Sequence, residues 1–248
     1  MFLIYNLTMK NIIIMSPSKE MIELSKNFNI SLKDETKTIL NSLKKLNIEE
    51  IEKYFKISTA LATLNYNRFH SIETSCGNIA LKTYNGIAFK NMNLKNFTDE
   101  DFEFAYKNLI ILSALYGPIF SKEIISPYRL DFNVPIKIDN LSLKNFWENY
   151  YNNFFKDYSI YNLASYEFSS FINKEISNFI DIEFFEDFEK NKHAHSTTVK
   201  KLRGALAAEI IKNKSFEKEI FKNFSYLEFR LSEEYSNTNR IVYVKSNL

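Results

Sequence analysis

A chain of 248 residues that is 45% hydrophobic and 16% aromatic has ample material for a packed core, which argues against a disordered protein and fits one large domain or two small ones. Its formal net charge of +2 gives no global argument for nucleic acid, so such an argument must rest on local patches. One cysteine, Cys76, excludes an internal disulfide framework and a cysteine metal cluster; four scattered glycines, Gly77, Gly86, Gly117 and Gly204, exclude a Walker loop, a GxGxxG dinucleotide loop and a GxSxG nucleophile elbow.

Residues 2–15 are apolar but broken by Asn6, Thr8, Lys10 and Asn11, too short to span a bilayer and lacking the basic front of a secretion signal. The expectation is a cytoplasmic protein with a loose extension over residues 1–8 and one domain over residues 9–248. Residues 12–15 (IIIM) predict a short buried strand. It empties into Ser16, Pro17, Ser18 and Lys19, a polar turn ahead of a helical pattern from Glu20. Further helices are expected at 34–46, at 48–56 behind an Asn47 cap, and at 58–69. A turn follows at Tyr84 to Gly86.

Thr98 opens the most complete helix start in the chain. Asp101 can complete a capping box, Phe97 and Phe102 form a hydrophobic staple, and three acids occupy the first turn. Ala105, Leu109, Leu112 and Tyr116 continue at helical spacing, so a helix is predicted from Thr98 to Tyr116, stopped by Gly117 and Pro118. A second helix is expected over 119–125, then a proline-fixed bend carrying Tyr128 and Arg129. Beyond lie a helix over 143–154, a strand over 159–163, a half-exposed strand over 179–185 and a partner strand over 192–197. A helix over 199–212 and a closing hairpin over 226–245 complete the chain. No linker or repeat divides it, which predicts a single α+β domain: a mixed sheet with surrounding helices.

Charge segregates late. Residues 181–189 carry five acids and no base, whereas residues 190–222 carry nine bases against three acids. Lys200, Lys201 and Arg203 fall at the expected start of a helix, where cations oppose the dipole; they fit either a grip on an anion or a solvated face. The Ser16 turn, with hydroxyls, backbone N–H groups and the Lys19 ammonium, also suits an anion. Its SxxK spacing lacks the KTG partner of penicillin-binding enzymes. His193 and His195 have no third ligand nearby, so neither a metal nor a cofactor is expected.

The landmarks occur in one order: 12–19 (IIIMSPSK), 67–70 (NRFH), 84–89 (YNGIAF), 97–102 (FTDEDF), 112–117 (LSALYG), 127–130 (PYRL), 146–147 (FW), 162–165 (NLAS) with Glu167, and 200–204 (KKLRG). Over about residues 9–245 this resembles the YaaA peroxide-stress family. The resemblance implies an α+β fold with a helix-hairpin-helix element, a cytosolic location, a part in surviving hydrogen peroxide, and DNA binding. The hairpin would be residues 112–122, with Ala114 where the family has its first hairpin glycine and with Pro118 lacking an N–H. The family's late FNxxGY appears as FSYLEF over 224–229.

Two functional readings follow, besides a scaffold with no chemistry. In the first, Tyr116, Gly117 and Lys122, helped by Lys200 and Lys201, neutralise DNA phosphates without reading sequence. In the second, Ser16, Lys19, Arg68, Tyr128, Arg129, Asn162, Ser165, Glu167, Lys200 and Arg203 line a pocket for a small anionic, nucleotide-like ligand. The oligomeric state is left open.

Overall fold

The computed structural model describes residues 9–23, 28–175 and 177–246; the expected 1–8 extension and part of the helix expected from Glu20 lie outside the described residues. The strand Lys10–Met15 sits at the centre, parallel to Leu109–Ser113 on one side and to Tyr158–Leu163 on the other. Ile12 to Met15 and Leu109 to Leu112 are at most 1% exposed. Successive strand side chains point to opposite faces, so both faces are covered here. Tyr158–Leu163 pairs in parallel with Asn178–Asp187, and that strand with Arg240–Lys245.

Antiparallel strands finish the edges. Gly117–Phe120 folds back on Leu109–Ser113, while Phe229–Leu231 and Ser225–Tyr226 extend the sheet beyond Arg240–Lys245. Lys192–His193 pairs with the end of Asn178–Asp187, in part as expected, although Ser196 already belongs to the next helix. Among the described residues this gives a nine-stranded mixed sheet and a three-stranded antiparallel one of Phe28–Asn29, Cys76–Ile79 and Ile124–Ile125.

Numbered along the chain, the five parallel strands lie in the order 2-1-3-4-5. The order reverses between Lys10–Met15 and Tyr158–Leu163. Loops leaving the carboxyl ends of two such strands run to opposite sides and open a crevice between them.

The central stretch departs from the sequence expectation. The capping box forms, with Thr98 Oγ1 accepting from the Asp101 N–H (3.3 Å) and the Asp101 carboxylate accepting from the Thr98 N–H (3.0 Å). The Phe97 and Phe102 rings meet at 5.5 Å. The helix, however, spans only Asp99–Asn108. Leu109 to Leu112 are four consecutive apolar residues without a polar face, and they are used as a strand buried on both sides.

Residues 112–122, expected as a helix-hairpin-helix, therefore form a β-hairpin, and residues 119–125 are two strand pieces in place of a helix. Gly117 turns the chain at φ +76°, where a Cβ would stand 2.7 Å from the Trp147 ring. Trp147 Nε1–H donates to the Ala114 carbonyl (2.9 Å), and Lys33 Nζ donates to the Pro118 carbonyl (3.1 Å). Residues 20–23 are likewise not helical; Met21 bridges to Tyr84. A short helical hairpin does occur earlier, where Ile48–Phe55 and Thr59–Ser71 are joined by Lys56, Ile57 and Ser58.

Candidate functional site

The Ser16 turn leaves the first parallel strand at the point where the strand order reverses. Ser18 Oγ accepts from the backbone N–H groups of Asn85 and Gly86 (3.1 Å each) and donates to the Glu20 carbonyl (2.6 Å). A Cβ on Gly86 would lie 2.5 Å from Ser18 Cβ, so glycine is what lets the two turns lock. Ser16 Oγ accepts the Ser165 N–H (2.8 Å) and stands 3.2 Å from Ser165 Oγ, tying the ends of the first and third parallel strands together. Asn162 holds the second of these ends: its Oδ1 accepts the Ala164 N–H (2.9 Å) and its Nδ2 donates to Asp181 Oδ1 (2.8 Å).

The helix Ser196–Asn213 crosses the helix Ile87–Met92 so closely that a Cβ on Gly204 would sit 2.0 Å from the Ala88 carbonyl oxygen. On the same helix, Arg203 immediately precedes Gly204 and Lys200 lies one turn before it. The helix begins at Ser196, capped by His195 Nδ1, which accepts the Thr197 N–H. Lys200 and Lys201 thus lie in the second turn, and the expected conflict with the dipole in the first turn does not arise.

These elements surround a cavity of about 410 Å³. Of the ten ligand candidates, Ser16, Lys19, Tyr128, Arg129, Ser165, Glu167, Lys200 and Arg203 line it. Asn162 is buried behind it. Arg68 lies elsewhere, paired with Glu23 (3.1 Å) beside a separate cavity that includes Cys76 and Ser126. Tyr128 does not offer its hydroxyl, which is buried between Ser113 Oγ (2.7 Å) and the Tyr84 hydroxyl (2.9 Å), and burial pushes its pKa up to about 12.

The DNA candidates do not converge. Gly117 is buried, and so is Tyr116, whose hydroxyl donates to the Ser126 carbonyl (3.2 Å) and accepts the Ser126 N–H (3.1 Å). Lys122 is exposed on a turn of its own, and Lys201 stands outside the cavity lining. A buried turn offers no backbone N–H to a phosphate.

Sequence reasoning missed Asp131, whose carboxylate takes Lys19 Nζ at 2.8 Å, and the apolar wall of Ile87, Phe89, Leu163 and Phe168. Asp131 closes the PYRLD bend that already held two candidates, which was a usable signal. Glu20, also at the rim, is held by Lys90 (2.7 Å). With those pairs made, the side chains of Arg129 and Lys200 have neither a hydrogen bond nor an ion pair among the described residues. Arg203 is half-buried, and its buried Nε has no hydrogen-bond partner among the described residues; desolvation brings its pKa down to about 10.

Glu167 Oε1 is also buried without a partner. Burial and then the Asp131 charge push its carboxyl above the usual range, against the pull of Lys19, the Asn133 backbone and Lys144. The arrangement can hold an anion on three cations and offer it a carboxyl able to accept or release a proton. Among the described residues no group of three His, Cys, Asp or Glu side chains could hold a metal ion. His193 packs its ring on Phe185. No described helix is long and apolar enough to cross a membrane.

Residues 11–235 match the family described as peroxide stress protein YaaA. Among similar proteins, a UPF0246 protein of Clostridioides difficile (strain 630) is 35% identical, covering 94% of this chain and 99% of its own length. A UPF0246 protein of Streptococcus agalactiae serotype III is 32% identical over 94% of this chain and 98% of its own. One from Rickettsia conorii is 31% identical over 85% and 88%. Ordered motifs, extent of match and coverage by these relatives agree: the chain belongs to the YaaA peroxide stress protein family.

Proposed function

We propose that the crevice at the carboxyl ends of the parallel strands binds a small anionic ligand, and that the chain serves the peroxide stress response of its family, in the cytoplasm, through that ligand. One observation carries the reading: Arg129, Lys200 and Arg203 border one cavity with no anionic partner among the described residues. Converging cations repel, and a guanidinium whose buried Nε has no acceptor is costly; both are relieved when an anion occupies the space between them. The site lies where open parallel sheets bind ligands, and its volume falls within the usual range for small-molecule pockets.

Inorganic phosphate is the simplest probe. A ligand at a hundred times its Kd stabilises the folded chain by about 2.7 kcal/mol, which a thermal melt detects readily. Phosphate should raise the melting temperature, and Arg129→Ala and Lys200→Ala should each reduce that rise. No stabilisation by phosphate at tens of millimolar would end the reading.

DNA binding is the second reading, favoured by the helical hairpin over Ile48–Phe55 and Thr59–Ser71. Lys56 is exposed at the turn with φ 52°, and the second helix starts on an exposed segment without a side-chain cap or a first-turn acid. Free N–H groups at such a start suit a backbone phosphate. Binding there would be sequence-independent, losing affinity with a log–log salt slope of about −0.9 per phosphate neutralised. Lys56→Glu should weaken binding to duplex DNA in fluorescence anisotropy while Lys122→Glu changes it little; equal effects, or none, would remove this reading.

A further inference from the structure

Arg203 and Glu167 stand on different elements, the long helix Ser196–Asn213 and the short helix Tyr166–Ser169, yet both line the same cavity. Among the described residues, Arg203 Nε is a buried donor with no acceptor, and Glu167 Oε1 is a buried acceptor with no donor. The two side chains carry opposite charge and form no ion pair with each other. Opposite charges that line one cavity normally close on each other, because each one left alone bears an uncompensated desolvation penalty on its buried atoms. Here they are held apart: Gly204 fixes the Arg203 helix against Ala88, and the Ser16–Ser165 bonds fix the turn from which Glu167 projects.

An inorganic anion would satisfy Arg203, leave Glu167 Oε1 unpartnered and repel the Glu167 carboxylate. A molecule that satisfies both must present acceptor oxygens at one end and a hydrogen-bond donor at the other. It must also be large enough to reach across a cavity of about 410 Å³ whose wall includes Phe89, Leu163 and Phe168.

Resting on the anion-binding reading above, we infer that the ligand is a hydroxyl-bearing phosphate monoester, its phosphate on Arg203, Lys200 and Arg129 and a hydroxyl donating to Glu167. Nucleoside monophosphates and sugar phosphates share this chemistry. The apolar wall gives a nucleobase something to lie against that a sugar phosphate would not use.

The test measures binding by isothermal titration calorimetry with four probes: inorganic phosphate, ribose 5-phosphate, AMP and 2′,3′-dideoxy-AMP. In the unaltered protein at least one hydroxylated ester should bind at least tenfold more tightly than inorganic phosphate, and dideoxy-AMP should lose most of the gain of AMP. A further gain of AMP over ribose 5-phosphate assigns the site to nucleotides; equality assigns it to sugar phosphates. Glu167→Leu should then weaken the preferred ester at least tenfold while tightening inorganic phosphate, because a repelling carboxylate is gone. If all four probes bind alike, or Glu167→Leu moves ester and phosphate in the same direction, the two-ended ligand is wrong and the anion site stands. If none binds, the anion site itself is wrong. The probe series in the unaltered protein decides the matter even if the variant fails to fold.

Discussion

Replacing Arg203 by methionine should stabilise the free protein, an outcome that separates a binding residue from a structural one. Burial lowers the Arg203 pKa from 12.5 to about 10. At about 1.36 kcal/mol per pH unit, that difference is a cost of roughly 3 kcal/mol for keeping the charged form in the folded chain. Water in the open crevice screens part of it, and methionine keeps most of the packing of the aliphatic stem, so the net gain should be about 1–2 kcal/mol. For a chain of this length that is a rise of about 3–6 °C in Tm.

The sign with pH follows from a folded pKa below the unfolded one. The penalty is full wherever both states are charged, below about pH 10, and fades as pH climbs from there toward 12.5. Between pH 6 and 9, well below both values, the gap between variant and parent should therefore stay constant. Urea denaturation with and without phosphate measures both quantities together. The variant should be more stable without phosphate and gain less from it. A variant several degrees less stable, with its phosphate response intact, would show that Arg203 holds the fold together and that the reasoning here is wrong.

Three further outcomes test how the site is built. Gly204→Ala places a Cβ 2.0 Å from the Ala88 carbonyl oxygen, so the two helices must separate at a cost of about 1–3 kcal/mol in urea denaturation. Gly117→Ala forces alanine to φ +76° and against Trp147, at a cost of about 2 kcal/mol or more, and should alter the near-ultraviolet dichroism of this single tryptophan. The Lys214 hydrogen bond holds the buried Asp101 carboxyl below its usual range; the stabilisation is present above pH 3.8 and is lost as pH falls through the depressed folded value. Lys214→Met should flatten that acid limb in pH-dependent melts, and an unchanged limb would refute the assignment.

Local chemistry was readable wherever a few adjacent residues decide the outcome. The Thr98 and Asn47 capping boxes, the buried Ile12–Met15 strand and the two ends of the Ser159–Leu163 segment depend on nearest neighbours, and each forms as its residues dictate. The stretch from Leu109 to Phe120 was misread because its apolar spacing fits a helix and a fully buried strand equally well. What decides is pairing with Ile13 to Met15, about a hundred residues away, which no local pattern contains. Tyr128 was misjudged for a related reason. A phenol on a polar bend looks available, and only the distant Ser113 and Tyr84 reveal that its hydroxyl is already used.

One of the expectations that point to the site fails. Lys200 and Arg203 drew attention because cations in a first helical turn oppose the dipole, yet the helix starts at Ser196 and places them a turn later. What survives is the expectation that polar groups at element ends gather where a rigid scaffold brings those ends together, and the sheet gives it a cause. With strands in the order 2-1-3-4-5, the strand order reverses between the adjacent parallel strands that end at Met15 and Leu163, so the turns that leave them, 149 residues apart at Ser16 and Ser165, start side by side before they diverge. The fold therefore fixes where a crevice opens whatever lines it. Which side chains remain unpaired inside it is a separate matter, set by Asp131 taking Lys19 and Lys90 taking Glu20. Once those pairs are made, three cations and one carboxylate oxygen of the lining remain without partners among the described residues, and that remainder, more than the number of charges in the sequence, defines what the cavity can hold.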